Sequence, residues 1–259
     1  MLLGSLLLVE ERLFEAHYFL DRMEAVGIGM EVGYNLNAFL SASRAVTFLL
    51  QKEMSTAPGF AEWWSLRQDE MRSDPAMRFF VNLRNYSQKA GRVRFDSMGC
   101  GLDRGSYRHM FRDGSTKVPA EVGGIDAIDA CHLHLAKIAR VVLAAMDAFP
   151  YHTCPRKAVS PEGIAALGLD TDELDERLGY TRGFSRSLGE GELQSTFLAK
   201  HFDAVDRESI EVLANVSATR PIAAHITNQN ANLRMVELQR RMTEYWADLE
   251  RETSDGDGE

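Results

Sequence analysis

The stretch Asp74 to Gly91, DPAMRFFVNLRNYSQKAG, decides the fold. Its ends carry their own signals. Aspartate accepts hydrogen bonds from the free amides of a first helical turn, proline suits the first helical position, and glycine suits the stop. The spacing predicts a helix over 75–90. Phe79, Phe80, Leu83 and Tyr86 form its apolar side. Arg84 comes four residues after Phe80, so it lies beside that side rather than opposite it. Asn85 follows at once, and Lys89 stands five residues after the arginine.

Helical patterns extend on both sides of this stretch. Leu6, Val9, Leu13, Ala16, Leu20 and Met23 recur at steps of three and four and predict a helix to Val26. Gly27, Gly29 and Gly33 interrupt it. A second helix is expected over 32–53, where Val32, Leu36, Phe39, Leu40, Val46 and Leu50 make one stripe. FAEWWSLRQDEM, from Phe60, reads as a short aromatic helix. Residues 125–149, IDAIDACHLHLAKIARVVLAAMDAF, are apolar on most sides, as in the central helix of a bundle. The fold class expected is all-α, an up-and-down bundle over 5–150 followed by a smaller helical region over 155–252. In that region Ser160-Pro161 and Asp170 to Glu173 read as helix starts. Two more helices are expected within 190–216. A last one carries Met235, Leu238, Met242, Tyr245 and Leu249, and residues 253–259 read as a disordered tail.

Charge is unevenly distributed. The chain carries −9 overall, which makes it a poor general binder of polyanions. Yet residues 72–117 hold ten basic side chains against four acidic ones. Residues 92–122 read as a basic loop insertion with room for a short hairpin around RVRFDSMG. Arg78 of the preceding helix and Arg92, Arg94, Arg108, His109 and Arg112 of the loop are the candidate residues for binding a polyanion such as RNA. The alternative is that these arginines are scattered over a solvated surface.

Several chemistries find little or no support. The apolar start MLLGSLLLVEERLFE has no preceding basic residue and no small-residue cleavage site, so it reads as a buried helix rather than a leader. With no apolar run long enough for a membrane span, and three cysteines that read as reduced thiols, a cytoplasmic location is expected. Cys131, His132 and His134 suit zinc by type, but a helical rise separates them from His152 and Cys154 by roughly 25 Å, so no metal is expected. No phosphate loop, nucleophile elbow or dinucleotide fingerprint is present, and no cofactor is implied. IAALGLDTDELDERLGY has a helix-turn-helix shape, but Asp170, Asp172, Glu173, Asp175 and Glu176 make it unfit to approach phosphates.

An N-terminal helix, a long second helix containing YNLNAFLSASRAVTFLLQKE, a helix bearing Arg84-Asn85 and a further apolar helix together resemble the HEPN superfamily over about 5–150. The resemblance implies an all-α bundle that dimerises, with kinship to metal-independent RNA endonucleases of toxin–antitoxin or defence type. It casts Arg84 as a phosphate clamp, Asn85 as the residue orienting it or a hydroxyl, and Lys89 as a neutralising charge. The family's motif has a histidine five to seven positions after its arginine; here those positions are Lys89, Ala90 and Gly91. Histidine titrates near neutrality and can serve as base and acid, whereas an ordinary lysine is protonated and serves as an electrostatic stabiliser. His109 is the one candidate substitute near in sequence. The reading is therefore an RNA-binding or catalytically degenerate HEPN-like protein, at best a metal-independent endoribonuclease. Its implied partners are a second copy, RNA and a protein met through the C-terminal helix, with no membrane. The rival reading is a non-catalytic interaction module, in which Arg84 and Asn85 simply hold the bundle or a dimer interface.

Overall fold

The computed structural model describes residues 3–26, 29–99, 107–114 and 117–215. The expected final helix with Met235 and Leu249, and the tail 253–259, lie outside the described residues. The fold is all-α, with one small hairpin. Four helices come first: α1 (Leu7–Val26), α2 (Met30–Met54), α3 (Phe60–Ser73) and α4 (Pro75–Lys89). The hairpin follows, as β1 (Phe95–Gly99) and β2 (Tyr107–Phe111). The central helix α5 (Ala127–Ala148) comes next. The remaining described chain runs through α6 (Pro150–Thr153), α7 (Pro155–Ala158), α8 (Pro161–Leu167), α9 (Thr171–Arg177), α10 (Phe184–Ser187), α11 (Glu192–Ala199) and α12 (Arg207–Ala214).

The main core shows why these segments are helices. Val9, Leu13, Ala16, Leu20 and Met23 are the buried stripe of α1, at the spacing that brings one helix face inward. They pack on the α2 stripe of Val32, Leu36, Phe39, Leu40, Val46 and Leu50, the most extensive helix pair in the fold. Apart from Ala16, each such side chain contributes about 1.5–3 kcal/mol by leaving water. Helix α5 explains its nearly all-round apolarity by its neighbours, for it touches α1, α2, α4, α12 and β2. Helix α12 returns to this core through Ile210, Leu213 and Ala214. A second, small cluster of Val159, Leu174 and Leu198 holds α7 to α11.

Caps set the positions of the elements that matter below. Asp74 accepts from the Met77 amide at 3.0 Å, and its other oxygen takes the Lys137 ammonium, which fastens the start of α4 to α5. Gly91 ends that helix with φ at 104°, a conformation open to glycine. Asp126 caps α5 through the Ile128 amide at 2.8 Å and accepts the His109 amide at 2.8 Å, which ties the hairpin to the bundle. Asp170 caps α9 through the amides of Asp172 and Glu173, while the Glu173 side chain pairs with Arg177. Among the described residues, no helix is long and apolar enough to cross a membrane.

Candidate functional site

Helix α4 presents two different faces to solvent. Arg78, Asn82, Asn85 and Lys89 follow one another at steps of four, three and four and share one face. With Tyr86, Lys117 and Pro119 they line an open groove of about 1060 Å³ that runs along the helix. Three of its lining side chains are cations and none is a carboxylate. Arg78, Lys89 and Lys117 are exposed, and none of them makes an ion pair among the described residues.

Arg84 belongs elsewhere. Five residues separate it from Lys89, which at helical pitch is about 140° around the axis. The three residues expected to act together are therefore divided. Asn85 and Lys89 enter the groove, whereas Arg84 does not line it. The link between the two sides is a 3.4 Å hydrogen bond from the Arg84 guanidinium to Asn85 Oδ1, at the long end of the range. Arg84 Nε is buried and has no hydrogen-bond partner among the described residues.

The neighbour of Arg84 is a residue that the sequence pattern did not single out, Arg44 of α2. Burial, and after it the charge of Arg84, hold the Arg44 guanidinium below its ordinary pKa. Arg44 donates to Thr47 Oγ1 at 3.1 Å and lies 4.2 Å over the ring of Phe48. Neither arginine has a carboxylate within ion-pairing distance among the described residues. Two cations kept together without a counter-charge are an arrangement suited to an external anion.

A cavity of about 310 Å³ lies between α2, α3, α4 and α5, with Arg44 and Arg78 in its lining. His134 of α5 also lines it, stacked on Phe80 with ring centroids 4.2 Å apart. Burial first, then the charge of Lys137, push this imidazole down to about 3; Asp74 pulls the other way, and Arg44 adds a lesser push downward. It is thus a neutral ring at physiological pH. Arg78 and Asn82 line both cavity and groove, so the two spaces adjoin.

The remaining candidates lie around the hairpin. His109, expected as a possible stand-in for the motif histidine, is buried on β2. Its ring meets Ser97 Oγ at 2.9 Å and the Phe95 ring edge-on, so it is a packing residue here. Arg112 is held by Asp96 in two hydrogen bonds, which raise the guanidinium's pKa and neutralise its charge locally. The aliphatic stem of Arg92 lies over Gly33 of α2, where a Cβ would come within 2.8 Å of its Cδ. Arg94 is exposed between this region and the α4 groove, and Arg108 is half-buried opposite Met98 in the ladder. The basic stretch is therefore two patches, one of free cations along α4 and one partly neutralised at the hairpin.

Cys131 is buried, and His132 reaches Glu24 at 2.8 Å. Among the described residues, no group of three or more metal-type ligands gathers in one place.

The signal that could have found Arg44 was present. Like Arg84, it is a lone arginine inside an apolar helical pattern. His134 gave no such signal, because a histidine in an apolar helix is ordinary.

Residues 5–104 match the family model of Bacteriophage lambda protein ea47. No curated protein and no solved structure matches the chain. The matched stretch takes in α1 to α4 and β1, and hence Arg44, Arg78, Arg84 and Lys89, but neither Lys117 nor His134. In those residues the chain is similar to a phage lambda protein family.

Proposed function

We propose that the α4 groove binds the sugar–phosphate backbone of single-stranded RNA, in a HEPN-like protein whose cleavage chemistry is degenerate. The observation that carries this reading is the row Arg78, Asn82, Asn85 and Lys89, faced by Lys117, with no carboxylate among the groove's lining residues. Free cations spaced along a groove attract successive phosphates and release their counterions. The two asparagine amides donate and accept, which suits ribose hydroxyls and phosphate oxygens. Tyr86, half-buried at the groove wall, offers a ring on which a base can stack. The groove's lining contains no imidazole, so binding is the activity assigned to it.

The test is direct. A fluorescently labelled single-stranded RNA with a 5′-hydroxyl end is titrated with the wild-type protein and with the Lys89→Ala/Lys117→Ala double variant at low salt, and the RNA is then run on a denaturing gel. Binding by the wild type, at least about tenfold weaker in the double variant, with intact RNA, is the expected result. Equal binding by both proteins would remove the groove from the reading. Cleavage abolished by Arg84→Ala would replace degenerate chemistry with an active site.

A further inference from the structure

The cavity beside the groove has features that backbone binding does not use. Its walls are apolar where Leu40, Met71, Met77, Phe80 and Ile138 meet. Arg44 and Arg78 stand in the same lining, Arg72 with them, and no carboxylate does. Arg72 is occupied by Asp69 at 3.0 Å, whereas Arg44 and Arg78 have no acidic partner among the described residues. The Trp64 indole Nε1 and His134 Nδ1 are closed off behind this lining, so the polar groups open to the cavity are its arginines and amides.

The charge balance sets the class of ligand. In the lining, Arg44 and Arg78 are two cations that no acid offsets among the described residues. A single carboxylate would leave one of these charges uncompensated. A phosphate monoester carries between one and a half and two negative charges near neutrality and offers three acceptor oxygens to guanidinium groups. The apolar walls exclude bare inorganic phosphate as a good fit, since it would leave them uncovered. A volume of about 310 Å³ is at the small end of pockets for drug-sized ligands, which limits the occupant to about the size of one mononucleotide.

We propose that this cavity binds a phosphate monoester of nucleotide size, its phosphate held by Arg44 and Arg78 and its organic part against Met71, Met77 and Phe80. Such a monoester has two sources, a free mononucleotide or the 5′-phosphorylated end of an RNA strand lying in the adjoining groove. The cavity shares Arg78 and Asn82 with the groove but not Arg44, Lys89 or Lys117, so the inference survives if backbone binding through Lys89 and Lys117 fails.

The experiment uses the full chain with methyl-labelled methionine, and uridine 5′-monophosphate, uridine and inorganic phosphate as probes. The monophosphate is expected to shift the Met71 and Met77 methyl resonances, with binding at least about tenfold tighter than that of uridine. Arg44→Gln removes one clamp. Gln51→Glu, at an exposed position of the lining, adds a repelling carboxylate without changing size. Both variants are expected to weaken the monophosphate by about tenfold, and uridine little. Uridine binding as well as its monophosphate, or no effect of Gln51→Glu, would overturn the proposal. So would the absence of methyl shifts up to roughly 10 mM, beyond any functional affinity. The two sources separate in a second arm with matched RNAs bearing 5′-phosphate or 5′-hydroxyl ends, compared in the Lys89→Ala/Lys117→Ala background. A 5′-phosphate preference that persists there assigns the cavity to strand ends. No preference, with monophosphate binding intact, assigns it to the free ester.

Discussion

The salt dependence of RNA binding offers a quantitative test of the α4 groove. Each phosphate neutralised on a single strand contributes about 0.7 to the negative slope of log affinity against log salt. Three groove cations, Arg78, Lys89 and Lys117, have no acidic partner among the described residues. If each takes one phosphate, the slope is about −2, a loss of roughly 20-fold in affinity from about 50 to 200 mM potassium chloride. Replacing any one of them by alanine reduces the slope by about 0.7, and the triple variant brings it near zero. The hairpin supplies the control. Arg112 and Asp96 already neutralise one another, so the Asp96→Asn/Arg112→Gln pair, which removes both charges, is expected to leave the slope within about 0.3 of the wild type. Anisotropy titrations of a labelled single-stranded RNA across a salt series measure all of these. A triple variant that keeps a slope near −2 would show that the cations counted here are not those that meet the strand. A large change in the control pair would show that the hairpin patch carries the binding instead.

Three further predictions concern the scaffold under the site. Asp74→Ala removes both the α4 cap and the Lys137 ion pair, whose side chains are about a third exposed, and is expected to cost about 1.5–2 kcal/mol in urea unfolding. Asp74→Asn keeps the cap and should cost about half of that; an equal loss in both would take the cap out of the account. His134 has its folded pKa held at about 3 by burial first, then by Lys137 and Arg44, while an unfolded histidine titrates near 6.5. The unfolded state therefore binds the proton first, and stability present above pH ~6.5 is lost as pH falls toward 3, by about 1.5 kcal/mol between pH ~6.5 and ~5.0. His134→Phe should lose that component of the pH dependence, and urea curves with the same pH dependence in variant and wild type would refute the assignment. Gly163→Ala would put a Cβ 2.2 Å from the Lys157 carbonyl oxygen and 2.6 Å from that of Ala158, so the α7–α8 turn must shift, at about 2 kcal/mol or more. An unchanged melting temperature would show that this close approach is not a constraint.

Much of the scaffold was legible because its signals are local. Asp74, Pro75 and Gly91 act within one helical turn of themselves, and the observed helix ends one residue short of the expected stretch. The apolar stripes of α1 and α2 appear at the positions their periodicity picked out. Even the division of Arg84 from Lys89 follows from five steps at helical pitch. The basic stretch was legible only as a count. Its sorting into free and neutralised cations depends on Asp96 meeting Arg112 across a hairpin and on Lys117 reaching the α4 face. His109 looked like a loop histidine by position, yet the ladder that pairs it with Ser97 also buries it.

By itself the sequence determined the all-α class, the limits of α4 to within one residue and the face of α4 that carries Arg78, Asn82, Asn85 and Lys89. These follow from propensity, capping and spacing, which act between residues a few positions apart. Only the tertiary structure brought Arg44 beside Arg84 and set His134 on Phe80. It alone opened an uncompensated cationic cavity next to the groove. Those pairs are 40 and 54 positions apart in the chain. Their meeting is set by how α2, α4 and α5 pack, where side-chain volume and the burial of apolar area decide the register and polar neighbours follow.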